Sequence, residues 1–207
     1  MGMDRLENHN SVLVVIDVQN DFCSPDGLMA KAGKDVSRAV GMIPRLQAVI
    51  AGAHAAGIPA VFVRTTHSDG TTSEPWRYRS GKKETAPNCV TGSWGAEFFS
   101  ISPGTDDYVA TKHRYSALTS PEFQEVLARL ERSSLLFCGV ATNICVETTL
   151  RDAVCADYFA TLIEDCSAAY SERLHIAALE NIRESFGLIT NAETVLERWH
   201  TLTGLGA

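Results

Sequence analysis

The sequence has no Cys-x-x-Cys pair, no apolar run long enough to cross a bilayer and no excess of positive charge. Its six cysteines, Cys23, Cys89, Cys138, Cys145, Cys155 and Cys166, are scattered, which argues against a zinc ribbon or a dithiol redox motif and for thiols kept reduced. The residues from Met1 to His9 are polar and lack the apolar segment of a secretory signal, so a cytoplasmic protein with no membrane partner is expected. Lys and Arg number 18 against 25 Asp and Glu, a formal net charge of -7 that disfavours nucleic acid and anionic lipid as partners. A small molecule is the expected ligand. There is no internal repeat or low-complexity tract, and 207 residues, 45% of them hydrophobic, suit one buried core and a single domain over 1–207.

What is present is an alternation of strand and helix patterns. Ser11 to Asp17 is a near-continuous β-branched run, as expected of a strand buried on both faces of a parallel sheet, and it ends on a carboxylate. The turn-forming segment to Gly27 reads as a loop. Ile43, Leu46, Val49, Ile50 and Ala53 mark a helical face up to about Ala56, stopped by Gly57 and Pro59. Ala60 to Thr65 is a second strand, Asp107 to Lys112 a third, Leu135 to Val140 a fourth, Tyr158 to Ile163 a fifth and Leu188 to Thr190 a short sixth. Helices are predicted from Ser120-Pro121, from near Cys145, from Ser171 to Phe186 and from Ala192 to Trp199. The expected architecture is α/β: a doubly wound, Rossmann-like, six-stranded parallel sheet with helices on both faces.

Residues 67–104 interrupt this order. They are rich in Ser, Thr, Gly and Pro but also carry Trp76, Tyr78, Trp94, Phe98, Phe99 and the pair Arg77 and Arg79. A long irregular loop in a compact domain is often a lid or binding loop; these aromatics equally suit a satellite core or a subunit contact.

Ligands of open parallel sheets bind beyond the C-terminal strand ends, near the point where strand order reverses. Asp17, Lys112 and Cys145 all fall at such ends. A thiol at a helix N-terminus feels the macrodipole and nearby N–H groups, so a lowered Cys145 pKa is expected, and the same N–H groups can hold an oxyanion. Position alone leaves Cys145 open as a small buried apolar residue, and Lys112 as an edge-strand lysine with an exposed head.

Three pieces carry a family likeness: Val15-Ile-Asp-Val-Gln-Asn-Asp-Phe22, Thr111-Lys-His-Arg-Tyr-Ser116 and Gly139-Val-Ala-Thr-Asn-Ile-Cys-Val-Glu-Thr-Thr-Leu-Arg-Asp152. They resemble the isochorismatase-like cysteine hydrolases over almost the whole chain. The resemblance implies Asp17 as general base, Lys112 as supporting cation and Cys145 as nucleophile. It also implies a cis peptide before Ala141, with the N–H groups of Ala141 and Cys145 as the oxyanion hole. Vinyl-ether-cleaving members commonly lack the cysteine, so Cys145 points to amide or ureide (N-carbamoyl) hydrolysis through an acyl-enzyme, and the motifs look most like those of ureidoacrylate-type amidohydrolases. Nicotinamidase-like members usually carry metal-binding Asp-x-His after the second strand; here Arg64-Thr-Thr-His67 lacks it, and no metal or other cofactor is expected. Candidate substrate contacts are Asn143, Tyr115, Trp76, Arg77 and Trp94. The rival readings are a nicotinamidase-like deamidase, a hydrolase of another small amide, lactam or ester, and a non-catalytic small-molecule binder. A homo-oligomer, dimer or tetramer, is expected by analogy with relatives.

Overall fold

A computed structural model describes residues 6, 9–78 and 87–203, with the side chains of 202 and 203 excepted. Arg79 of the irregular loop lies outside the described residues. Strand β1 (Ser11–Ile16) is buried at every position, which explains its unbroken apolar run: a strand covered on both faces has no solvent side. A single turn, α1 (Asn20–Cys23), falls within the segment predicted as loop, and a second, α2 (Leu28–Lys31), follows just past it. Helix α3 (Ser37–Ala55) begins six residues before the predicted stripe and runs through Pro44. Ala39 and Met42 sit on the same buried face as Leu46, so packing outweighs the backbone hydrogen bond that proline removes.

Strand β2 (Ala60–Thr65) is followed by α4 (Glu74–Tyr78), a 3-10 turn at Trp94–Ala96, and β3 (Tyr108–Lys112). Helix α5 (Pro121–Leu130) starts as its sequence requires, with the Ser120 hydroxyl accepting from the Phe123 N–H at 3.3 Å and proline at the first helical position. Strand β4 (Ser134–Val140) leads through a π turn (Thr142–Val146) into α6 (Glu147–Cys155). Strand β5 (Phe159–Ala168) is longer than predicted. Its register against β4 shifts from Phe137–Leu162 to Gly139–Ser167, so Glu164 and Asp165 belong to an irregular strand rather than to a helix entry. Then come α7 (Glu172–Asn181), a second π turn (Ile182–Phe186), β6 (Leu188–Thr190) and α8 (Ala192–Thr203).

All six strands run parallel in the order β3-β2-β1-β4-β5-β6. The chain therefore winds outward one way from β1, then returns to β4 and winds the other way. The switch point lies between β1 and β4. Alternate residues of β1 feed two cores: Leu13 and Val15 pack with Leu46 and Val49 of α3 and Val195 and Trp199 of α8, whereas Val12, Val14 and Ile16 pack with Phe123 of α5 and Leu150 of α6. Each fully buried aliphatic side chain contributes roughly 1.5–3 kcal/mol, which anchors the strand ends that carry the site. At the switch point Gly139 adopts φ +115, and a Cβ there would stand 2.0 Å from the Ile16 carbonyl oxygen. Glycine lets β4 approach β1 this closely. Among the described residues no helix is long and apolar enough to cross a membrane.

Candidate active site

Asp17 immediately follows β1 in a left-handed conformation, φ 52, with its N–H donating to the Val63 carbonyl at 2.9 Å. Its carboxylate is buried, and each oxygen accepts a hydrogen bond. Lys112 Nζ donates to Oδ2 at 2.7 Å, and the Thr65 hydroxyl donates to Oδ1 at 2.9 Å. Thr65 ends β2 in register with Lys112 at the end of β3, so the lysine reaches across β2 to β1 and also donates to Thr65 Oγ1 at 2.6 Å. Its third acceptor is the Arg114 carbonyl at 3.1 Å. Lys112 is 1% exposed, which removes the alternative of an edge lysine with a solvated head. Burial works against its charge, but Asp17 and Cys145 outweigh this and hold the ammonium above the usual lysine range.

Gln19 fixes Thr65 in turn. Its Oε1 accepts the Thr65 N–H at 2.7 Å, while Nε2 donates to the carbonyls of Thr65 at 2.9 Å and Ala96 at 2.8 Å. A glutamine side chain thus replaces the backbone partner that β1 no longer offers past Ile16.

Cys145 comes from the other half of the sheet. After β4 the Val140–Ala141 peptide is cis, and the Ala141 carbonyl accepts from the N–H groups of Ile144 at 2.9 Å and Val146 at 3.3 Å. This π turn carries Cys145, whose carbonyl accepts from the Thr149 hydroxyl at 2.6 Å. Cys145 lines the same cavity as Asp17 and Lys112, and its sulfur feels the charge of both. Its acidity departs from expectation. Burial pushes the thiol pKa well up; Lys112 opposes the rise and Asp17 adds to it. Cys145 sits ahead of α6, which begins at Glu147, so desolvation rather than a helix terminus governs the sulfur.

These side chains open into a cavity of about 190 Å³. Of the predicted substrate contacts, Tyr115 and Trp76 line it, their ring centroids 4.7 Å apart. Asn143, Arg77 and Trp94 are not among its walls. Asn143 lies two residues before Cys145 in the same turn, and side chains two apart on a helical turn face different directions. Arg77 is exposed, 3.8 Å from Asp69, and neighbouring positions on α4 cannot both face inward with Trp76. Trp94 is half exposed, its turn held from below by Asn20 Nδ2 donating to the Trp94 carbonyl at 2.8 Å. The sequence reading did not single out Thr65, Gln19, Phe22, Met29, Asn88 or Tyr170. The first two carry one available signal, a polar residue at or just past a buried strand end; the others reach the cavity through long-range folding. His67 also lines the cavity; among the described residues no group of three or more His, Cys, Asp and Glu is placed to hold a metal ion.

Fold and site together define a doubly wound α/β protein whose carboxylate, ammonium and thiol meet at the switch point of a parallel sheet. Residues 11–194 match the isochorismatase domain, and the chain belongs to that family. It is 34% identical over 201 residues to the ureidoacrylate amidohydrolase RutB of Methylobacterium radiotolerans, covering 90% of this chain and 78% of that protein. The protein of the same name from Yersinia enterocolitica is 32% identical over 199 residues, covering 89% of this chain and 86% of that one. Among solved structures, a cysteine hydrolase from Pseudomonas syringae pv. phaseolicola superposes with a TM-score of 0.82 at 22% identity, covering 94% of each chain. An N-carbamoylsarcosine amidase from Thermoplasma acidophilum gives 0.72 at 22% identity, covering 89% of this chain and 97% of that one. At these identities the two structures speak for the fold.

Proposed function

We propose that this protein is a cysteine-dependent amidohydrolase that cleaves a C–N bond of a small amide or ureido compound through a covalent acyl-enzyme. The observation that carries the reading is the convergence of Asp17, Lys112 and Cys145 on one cavity. The likeness to ureidoacrylate amidohydrolases supports the substrate class.

With desolvation opposing the thiolate, attack calls for a proton acceptor beside the sulfur, and Asp17, on the same cavity, is assigned that role. As the Sγ–H proton moves to Asp17, Sγ bonds to the substrate carbonyl carbon and the C=O pair moves onto oxygen. The N–H groups of Ala141 and Cys145 receive the oxyanion, and Lys112 offsets negative charge on sulfur and carboxylate. Asp17 returns the proton to the departing nitrogen as the C–N bond breaks. A water, deprotonated by the same carboxylate, then hydrolyses the thioester and restores the thiol. Each step is assigned to a group of this chain.

The loop over 67–104 is the substrate-selecting part of what we read as one domain; His67, Trp76 and Asn88 reach the cavity from it. A cytoplasmic location is supported by six cysteines that are all unpaired, as a reducing compartment would keep them. The homo-oligomer, dimer or tetramer, rests on family analogy and is read directly by light scattering. The mechanism is tested by ammonia release from a panel of amides, ureides and nicotinamide, comparing wild type with Cys145→Ala and Cys145→Ser. Turnover that disappears in both variants is expected; an unchanged rate in Cys145→Ser would overturn the mechanism.

A further inference from the structure

Asp21 takes no part in the chemistry above and is not among the cavity's walls, yet its carboxylate ties together segments that are. Oδ2 accepts the Cys89 N–H at 2.7 Å, and Oδ1 accepts the Leu28 N–H at 3.2 Å. Each bond falls one residue from a cavity wall, Asn88 on one side and Met29 on the other, and Phe22, next to Asp21 itself, is a third. One side chain therefore links α1, α2 and the start of the segment 88–97, three pieces of chain that share no strand or helix.

The packing around the carboxylate fits this role. A Cβ on Gly95 would stand 2.3 Å from Oδ2 and 2.6 Å from Oδ1, so glycine is what lets the segment close over Asp21. Cys89 Sγ donates to the Gly95 carbonyl at 3.5 Å, and Cys89 takes φ 48, a left-handed conformation that residues other than glycine seldom adopt. The far end of the segment is held separately: Gln19 Nε2 and Asn20 Nδ2 donate to the carbonyls of Ala96 and Trp94, each at 2.8 Å. Loss of the Asp21 carboxylate would thus release Asn88 and Met29 while residues 94–96 stay attached. Asp17 and Lys112 are held by each other and by Thr65, so the reactive centre keeps its own supports.

We propose that Asp21 is a positioning residue for substrate selection: its carboxylate fixes Phe22, Met29 and Asn88 relative to one another and so limits the size of amide that reaches Cys145. The proposal rests on the amidohydrolase reading above. Small displacements of such walls matter, because reacting groups must be held within a fraction of an ångström of their working geometry.

The probes are iodoacetamide and its N-phenyl derivative iodoacetanilide, amides of different size whose iodide Cys145 Sγ displaces as the thiol loses its proton, leaving a thioether. Peptide mass spectrometry on the full chain reads the alkylation rate at Cys145, with the exposed Cys155 as the internal measure of reagent reactivity. In Asp21→Ala the iodoacetanilide-to-iodoacetamide rate ratio at Cys145 should rise by at least about fivefold while the ratio at Cys155 stays constant. Asp21→Asn keeps one acceptor oxygen; it should shift the ratio the same way by less, and it carries the test should Asp21→Ala fail to fold. Gly95→Ala, whose methyl group displaces the carboxylate, should match Asp21→Ala, and the double variant should exceed neither. Val195→Ala trims a core residue outside the cavity and should leave the ratio unchanged, which separates positioning from general loosening. A ratio unchanged or lowered in the Asp21 variants, or raised equally by Val195→Ala, would overturn the proposal and leave the amidohydrolase reading standing. The expected shift without ammonia release from any amide or ureide would sink the amidohydrolase reading alone. No alkylation of wild-type Cys145 by either probe would overturn both.

Discussion

Lys112 Nζ lies 2.7 Å from Asp17 Oδ2, with both side chains essentially buried, and the pair spans strand β2 to join the ends of β3 and β1. A buried ion pair stands only while both partners and their hydrogen bonds are present. Lys112→Met should therefore lower stability by about 3–5 kcal/mol, because it leaves the Asp17 carboxylate buried without its cation. Urea unfolding measures this, and a loss below about 1 kcal/mol would show that water enters the site and solvates Asp17.

Thr65 is the second contact of that carboxylate. Thr65→Val keeps the shape of the side chain and removes both the donor to Asp17 and the acceptor for Lys112. We expect a loss of roughly 1–3 kcal/mol in stability, the cost of leaving buried polar groups unpaired. The turnover number should fall while KM changes little, since Thr65 acts on the proton acceptor. Steady-state kinetics that show a raised KM and an unchanged kcat would place Thr65 in substrate binding instead.

Alkaline pH should destabilise the fold. Burial raises the thiol pKa of Cys23, Cys89, Cys138 and Cys145, and pushes Cys166 up to about 12, from an ordinary value of 9.0. The folded chain thus holds these protons more tightly than the unfolded chain, and Lys112 has the same sign. Their contribution is complete below pH 9 and is lost as pH rises toward the folded values, by up to about 1.4 kcal/mol per pH unit for each thiol. Denaturant melts between pH 8 and 10.5 should show falling stability, and a flat profile would contradict the burial of these sulfurs.

Gly139→Ala tests the switch point. Its φ of +115 and the 2.0 Å approach to the Ile16 carbonyl oxygen mean that β4 or β1 must move to admit a methyl group. A loss of more than about 3 kcal/mol is expected in thermal or urea unfolding. A variant as stable as the parent would mean that the two strands separate easily at the site.

Much of this architecture was legible along the chain. The β-branched runs ending at Asp17 and Thr65, and the apolar run before Ala141, mark parallel strands because burial on both faces leaves little reason for alternation, whereas the edge strand ending at Lys112 is partly exposed. Since ligands gather at the C-terminal ends of such strands, the positions of Asp17, Lys112 and Cys145 on one rim followed as well. Local pattern was a poorer guide where packing intervened, as in α3 running through Pro44 and β5 continuing past Ile163.

Strand and helix identity, the parallel winding and the rim on which the reactive residues stand were settled by local patterning, since each depends on which side chains shun water along a short segment. The fold alone decided the electrostatics and the walls of the cavity. Whether Cys145 is a thiol or a thiolate depends on desolvation and on Asp17 and Lys112, residues far away in the chain, and no local motif encodes that sum. Which residues face a ligand depends on how loops cross the rim. Trp76 and Tyr115 arrive there with Phe22, Asn88 and Tyr170, while Arg77, Trp94 and Asn143 are turned elsewhere by the geometry of their own short turns.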